Sequence, residues 1–459
     1  MAVVPSPSPS AVAPARVCAH RVLRRVFEDG AYAEKALLTE ARELDPRDRA
    51  LAMRLSYGAV QRAGTTDHLI EKLARRPPAR LDPPVRASLR LGLYELLYLD
   101  GSPDYAVVAD CVELAKAPGR GGHGLVNAVL RRAAREGPER LIAGLGEATP
   151  AEAAIRHSHP EWIAKLWWRA LGAEEARALM ARDNEPAQLT LRANTLVCDP
   201  VELARQLSVR THPDPLIPEA LIVEEPFDVH GSDLWQQGAF TAQSRAAMLV
   251  ARVLGPRPGD QVLDLCAAPG NKSTHLAALM EGRGRVLAVE SGARRAHGLQ
   301  RTAERMRAGI VDVELGDARE PRRGESFDRV LVDPPCSGLG TLQARADLRW
   351  RASPGAIEQM REDQFRILDC GAKALRPGGL LVYSTCTISP TENEQLIAAF
   401  IDSHPEFTID DLAAEMPDFA MTTPATDRGP QLPEGSSALM TLPHRHDTAG
   451  FFIARMRRS

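Results

Sequence analysis

Two short strings put thiols where chemistry could use them: Asp333-Pro-Pro-Cys-Ser-Gly338 and Ser384-Thr-Cys-Thr387. Each follows an apolar run, Arg329-Val-Leu-Val-Asp333 or Leu380-Leu-Val-Tyr-Ser384, patterned as a strand covered on both faces. As the fourth and fifth strands of a doubly wound sheet the runs would be neighbours, so Cys336 and Cys386 are expected to meet at one sheet edge. The seven cysteines form no CxxC pair, and no further ligand is spaced to complete a metal site. What two thiols can do together is activate a pyrimidine. Carbon 5 of that ring is not nucleophilic until a thiolate adds to carbon 6, after which the resulting enamine can attack a methyl donor. The carbon 5 proton must then leave and the thiol be eliminated. An acid near ring N3 assists the addition, and Asp333 is placed for that role. Spacing leaves open which thiol is the nucleophile.

The methyl donor has its own signature upstream. After the strand Gln261-Val-Leu-Asp-Leu265 comes the loop Cys266, Ala267, Ala268, Pro269, Gly270, Asn271 and Lys272, then the start of a helix. This loop is neither GxGxxG nor a Walker sequence, so triphosphate binding is not expected. Its small residues let a ligand approach the backbone. Glu290 ends the second strand, where an acidic residue accepts hydrogen bonds from ribose hydroxyls, and Asp317 ends the third. With Asp264 and Asp333 they would repel a pyrophosphate. An adenosyl group without phosphates suits the site, and S-adenosylmethionine is the economical choice.

The elements that position these residues are legible as a rhythm. From about residue 246, strands alternate with amphipathic stretches, which predicts a Rossmann-like α/β domain with its ligand beyond the strand C-termini. A final strand, Gly450-Phe-Phe-Ile-Ala-Arg455, follows a stretch, 415–445, expected to be a long surface loop. Residues 15–145 are helical in pattern throughout. Pro77-Pro78 and Pro83-Pro84 mark breaks. Residues 150–245 are expected to form an α+β connector, in which Ser158 would cap a helix carrying Trp162 and Trp167. Residues 1–14, all Pro, Ser, Ala, Val or Met, are expected to be a disordered tail.

The chain has 459 residues, 44% apolar and 25% charged, with a net charge of −3. This excludes wholesale disorder and a uniformly basic coat. Residues 1–140 carry an excess of 5 positive charges and the remainder a deficit of 8, so polyanion contact is expected in the first third. No stretch approaches 18 uninterrupted apolar residues, and residues 1–10 show neither a basic n-region nor an apolar h-region. A cytoplasmic protein with no membrane contact is expected, acting as a monomer.

The two thiol strings, the loop 266–272 and Glu392-Asn-Glu394 together resemble the Fmu/Sun family of RNA 5-methylcytosine methyltransferases, and in particular its RsmB-like members. In the first third, Leu91-Gly-Leu-Tyr-Glu-Leu-Leu-Tyr98, Val112-Glu-Leu-Ala-Lys116 and Asn127-Ala-Val-Leu-Arg-Arg132 resemble the NusB-like RNA-binding domain fused to those enzymes. The resemblance implies S-adenosylmethionine as cofactor and RNA, in particular small-subunit ribosomal RNA, as substrate. It implies that the loop, Glu290, Asp317 and Asp333 hold the cofactor, that Cys386 is the nucleophile and that Cys336 assists release. Three positions depart from the family pattern. Asn271 replaces a glycine and is expected to take up the left-handed backbone region, Glu290 stands where Asp is commoner, and Ala449 stands where an acidic residue is frequent. The competing expectation is a non-catalytic RNA-binding or ribosome-assembly factor that retains the fold. Loss of a thiol or of the loop would favour it, and neither is lost.

Overall fold

The computed structural model describes residues 12–116, 121–321, 324, 326–421 and 432–459. Residues 1–11 of the expected tail lie outside this set, and the first helix begins at Pro14. The chain divides into two compact units.

One unit comprises the chain up to Trp168, Ala173–Glu185 and the inserted segment Leu342–Arg351. It is built of helices, among them Pro14–Glu28, Pro46–Gln61, Ala63–Ala74, Pro83–Tyr98 and His123–Ala143. Apolar residues at helical spacing explain the core, in which Leu55, Leu69, Leu89, Leu93 and Leu130 are fully buried. Gly58 is required by a close approach, since a Cβ there would stand 2.0 Å from the Tyr94 ring. Pro83 and Pro84 open a helix, where the missing N–H is harmless. A buried ion pair joins Arg16 to Glu95 at 2.5 Å.

Ser158 corrects a sequence expectation. It ends the helix Pro150–His157 in a left-handed conformation (φ 59°), and its Oγ accepts from Gly64 N at 2.9 Å and Thr65 N at 3.4 Å. It therefore satisfies the first turn of a helix ninety residues away in sequence, not that of the helix following it. Trp167 is buried as expected for core packing. Arg349, also fully buried, donates to Ser158 O, Asn184 Oδ1 and Asp183 O, which brings the insertion 342–351 into this unit.

The other unit contains two sheets. The smaller is antiparallel, in the order β2-β3-β1-β4, from β1 (Thr190–Ala193), β2 (Thr211–Pro213), β3 (Ala220–Val223) and β4 (Phe240–Ala242). The larger uses β5 (Gln261–Leu265), β6 (Arg285–Glu290), β7 (Val311–Leu315), β8 (Phe327–Val332), β9 (Leu375–Thr385), β10 (Phe407–Ile409), β11 (Leu439–Thr441) and β12 (Phe451–Arg458). Its order is β10-β12-β9-β8-β5-β6-β7, with β11 on β12. The five strands from β7 to β9 are parallel, as expected of a doubly wound domain. Beyond β9 the sheet turns antiparallel: β12 runs against β9, β10 and β11. An antiparallel neighbour needs no crossover helix, and β11 is joined to β12 through residues 442–450 alone.

Part of the expected 415–445 loop is thus strand, because Leu439-Met440-Thr441 is buried and paired with Phe451–Ile453. Residues 422–431 of that stretch lie outside the described set. Among the described residues, no helix is long and apolar enough to cross a membrane.

Candidate active site

The site forms at the C-terminal ends of β5, β6, β8 and β9. Strands β8 and β9 are hydrogen-bonded neighbours in parallel register, Val332 opposite Tyr383. The loops leaving them therefore start side by side, and Cys336 Sγ lies 3.3 Å from Cys386 Sγ. Neither thiol is in a disulfide, and both are half-buried. The hydrogen bond to Cys386, together with burial, pushes the Cys336 thiol well above its usual range. The two sulfurs are within hydrogen-bond distance, and either can donate to the other.

Asp333 lies between these loops and the cofactor loop. Its Oδ2 accepts from Lys272 Nζ at 2.6 Å and its Oδ1 from Ser384 Oγ at 2.9 Å. Burial alone would lower the Lys272 pKa. The facing Asp333 carboxylate, with Cys386 and Asp264 adding to it, holds it above the ordinary value, so the site contains a firmly protonated ammonium. Lys272 also lies 5.2 Å from the centre of the Phe451 ring.

On the cofactor side the loop turns sharply. Cys266 has φ 66° and Gly270 φ 103°, and a Cβ on Gly270 would come within 2.5 Å of Leu299. Asn271 corrects the expectation of a left-handed residue, because it is the first residue of the helix Asn271–Leu279 and is not among the positive-φ positions. Nothing there demands glycine. Its side chain instead donates to Ala242 O at 3.3 Å, and its carbonyl accepts from buried Arg192 at 2.9 Å, which ties the loop to β4 and β1.

Asp264 is buried and accepts from Ser273 Oγ at 2.6 Å with Oδ2, while Oδ1 has no partner. Burial raises its pKa to about 7. Cys266 faces Asp333, Asp264 and Glu290, and burial with these three charges pushes its thiol up to about 12. Glu290, 3% exposed, accepts from Gly292 N at 2.7 Å and pairs with Arg295 at 2.7 Å.

This donor set fits a cationic adenosyl ligand and not a pyrophosphate: three carboxylates surround the loop, one with an orphaned oxygen. Asp317 is the expected residue that the structure ties up elsewhere. Its carboxylate is held by Arg319 at 2.7 Å, and Arg319 also reaches Asp363. Among the described residues no cluster could hold a metal ion.

Behind the thiols lies a set of buried side chains whose roles no sequence pattern announced. Glu392 Oε1 accepts from Ser337 N at 2.8 Å and from Gln364 Nε2 at 3.0 Å, and Oε2 accepts from Ser337 Oγ. Ser337 Oγ also meets Thr387 Oγ1 at 2.6 Å. Asn393 donates to Thr387 O at 3.0 Å and accepts from Thr385 Oγ1 at 2.6 Å. Each thiol therefore has a neighbour in sequence anchored to the Glu392-Asn393 turn. The string Glu392-Asn-Glu394 was visible as part of a resemblance, but its contacts span up to 55 residues.

Comparison with known proteins places this geometry. The model described as "16S rRNA methyltransferase RsmB/F" matches residues 251–457, "NusB family" matches 13–135, and "Methyltr_RsmF/B-like, ferredoxin-like domain" matches 159–230. The "Probable ribosomal RNA small subunit methyltransferase B" of Bacillus subtilis (strain 168) is 34% identical over 453 residues, covering 96% of this chain and 98% of that one. The chain belongs to the RsmB/F family of 16S rRNA methyltransferases. The "Ribosomal RNA small subunit methyltransferase B" of Sodalis glossinidius (strain morsitans) is 32% identical, with 96% and 97% covered. A methyltransferase homolog protein from Pyrococcus horikoshii superposes with a TM-score of 0.60 at 26% identity, over 68% of this chain and 99% of that one. As a member of the RsmB/F family, this chain is an rRNA methyltransferase dependent on S-adenosylmethionine. Its RNA substrate follows from the same membership.

Proposed function

We propose that this chain methylates carbon 5 of a cytosine in small-subunit ribosomal RNA through a covalent bond between Cys386 and carbon 6. The observation that carries the reading is the pair of thiols 3.3 Å apart at the ends of adjacent parallel strands, beside the Lys272–Asp333 ion pair. Residues 266–272, Glu290 and Asp264 would hold S-adenosylmethionine, whose sulfonium would make its methyl group electrophilic. Asp333 closes that pocket toward the base.

Cys336 keeps its proton and steadies the sulfur of Cys386 as a thiolate, and the Lys272 ammonium adds positive charge nearby. The thiolate of Cys386 adds to carbon 6, forming the C–S bond, and the electron pair moves toward carbon 5 and ring N3. Lys272 and Asp333 together hold a proton on Lys272 Nζ, from which N3 can be protonated. Once carbon 5 carries the methyl group, a water molecule takes its proton, the electron pair restores the C5–C6 double bond, the C–S bond breaks with Cys386 leaving as a thiolate, and N3 returns its proton to Lys272. Cys336, in contact with that sulfur throughout, assists the departure. The role expected for Asp317 in holding the cofactor requires its pair with Arg319 to open.

The proposed setting is the cytoplasm, which seven cysteines without a disulfide support. The enzyme is proposed to act as a single chain. The test is methylation in vitro of small-subunit RNA from cells lacking the gene, read by bisulfite sequencing. A single newly protected cytosine is expected. Methyl transfer to another base, or to no base, would overturn the reading.

A further inference from the structure

The charge census of the whole chain hides a local reversal. Although the chain beyond residue 140 is acidic overall, residues 294–307 contain Arg294, Arg295, Arg301, Arg305 and Arg307 against Glu304 alone. They belong to the helix Ala293–Arg305, between β6 and β7, and the turn after it. The inner face of that helix, Ala296, Leu299 and Ala303, is buried, and Leu299 lies directly under Gly270 of the cofactor loop. At 100° per residue, Arg294, Gly298, Arg301 and Arg305 fall within about 40° of one outward line. At a rise of about 1.5 Å per residue that line is about 16 Å long.

The partners of these arginines separate two jobs. Arg295 is occupied by Glu290. Arg305 is part of the frame: it donates to Trp235 O at 2.8 Å and Phe240 O at 3.1 Å and lies 4.2 Å from the centre of the Trp235 ring. Exposed His230 stands edge-on to the same ring at 4.8 Å. Arg294 and Arg301 are exposed and form no ion pair among the described residues. Glu304, the one acid within residues 294–307, accepts instead from Gln300. Elsewhere on this unit exposed arginines such as Arg283, Arg285, Arg319 and Arg376 each face a carboxylate. Unneutralised arginines in a row, ending at a Trp–His pair, make a surface suited to a phosphate backbone with a base or sugar at its end.

We propose that the outward face of the helix Ala293–Arg305, with Trp235 and His230 at its C-terminal end, docks the phosphate backbone of the substrate RNA on the methyltransferase unit. This places an RNA contact outside the basic first third, on the helix that supports the cofactor loop. It rests on the RNA substrate that family membership establishes and not on the covalent step.

The experiment uses the full chain, with Arg294→Ala/Arg301→Ala and Arg294→Glu/Arg301→Glu double variants and Arg285→Ala as a paired-arginine control. Affinity for a labelled small-subunit rRNA fragment is measured from 50 to 200 mM salt, with S-adenosylmethionine affinity measured alongside by calorimetry. The double Ala variant should bind RNA about tenfold more weakly and lose roughly 1.4 to 1.8 from its logarithmic salt slope, the share of two phosphate contacts. The Glu variant should bind more weakly still. Cofactor affinity and the Arg285→Ala control should stay within twofold of the parent. An unchanged salt slope, a loss equalled by Arg285→Ala, or a fall in cofactor affinity parallel to that for RNA would each overturn the proposal. Failure of the parent chain to methylate cytosine would leave this result intact and would count against the function proposed above.

Discussion

Replacing Glu392 with Ala removes the side chain on which the Cys336 loop rests. Three hydrogen bonds end at its carboxylate, from Ser337 N, Ser337 Oγ and Gln364 Nε2. Two of these donors have somewhere else to go: Ser337 Oγ already meets Thr387, and Gln364 Nε2 also donates to Pro335 O at 2.9 Å. Ser337 N has no alternative and becomes a buried orphan, which costs about 1–3 kcal/mol. Each of the other lost bonds adds about 1 kcal/mol, so the total is roughly 3–5 kcal/mol, a large part of the ~5–15 kcal/mol that holds a typical domain. The orphaned amide adjoins Cys336, so the thiol pair should loosen as well. A displacement of about 1 Å at reacting groups costs on the order of 10²-fold in rate. Glu392→Gln keeps an oxygen for Ser337 N and should lose about 1 kcal/mol and under tenfold in rate. The assays are denaturant unfolding at unchanged slope, kcat on small-subunit RNA, and calorimetry with S-adenosylmethionine, whose affinity should stay within twofold in both variants. Glu392→Ala with stability within 1 kcal/mol and kcat within threefold of the parent would refute the anchoring argument.

Cys386→Ala should abolish methyl transfer while cofactor affinity stays nearly unchanged, and residual turnover above a hundredth of the parent rate would remove Cys386 from the nucleophile role. Cys336→Ala should accumulate a denaturation-resistant protein–RNA adduct carrying the transferred methyl group; an adduct from Cys386→Ala and none from Cys336→Ala would exchange the two assignments. Asp264 titrates near 7 in the folded chain and near 3.9 when unfolded, so the folded state holds a proton that the unfolded chain has released between those values. Its contribution to stability is fully present below about pH 4 and is lost as pH rises to about 7. Asp264→Asn should therefore show a smaller fall in unfolding free energy between pH 5 and pH 8 than the parent, and equal falls in the two proteins would contradict the buried carboxyl reading.

The sequence by itself determined the parts of this protein that are local. Runs such as Val330-Leu-Val332 and Leu381-Val-Tyr383 must be covered strands, and a loop of small residues flanked by Asp264 and Glu290 can accept a phosphate-free adenosyl group. The helical spacing of Leu89, Leu93 and Leu97 likewise marked the first unit. Adjacency of β8 and β9 follows from doubly wound topology, so the meeting of Cys336 with Cys386 was legible fifty residues apart. What only the tertiary structure decided depends on partners that no short pattern encodes. Glu392 clamps Ser337, Ser158 satisfies Gly64, and Arg349 is buried among residues from the helical unit. Asp317 is captured by Arg319, and Asn271 is an ordinary helical residue held by Ala242. The proposed division of labour between the thiols likewise depends on burial and on the groups each sulfur faces, which spacing does not report. Periodicity reports which face of an element is covered. It carries no information on which distant donor or acceptor covers it, and buried polar groups, which must find such a partner or lose stability, are where this protein's chemistry is positioned.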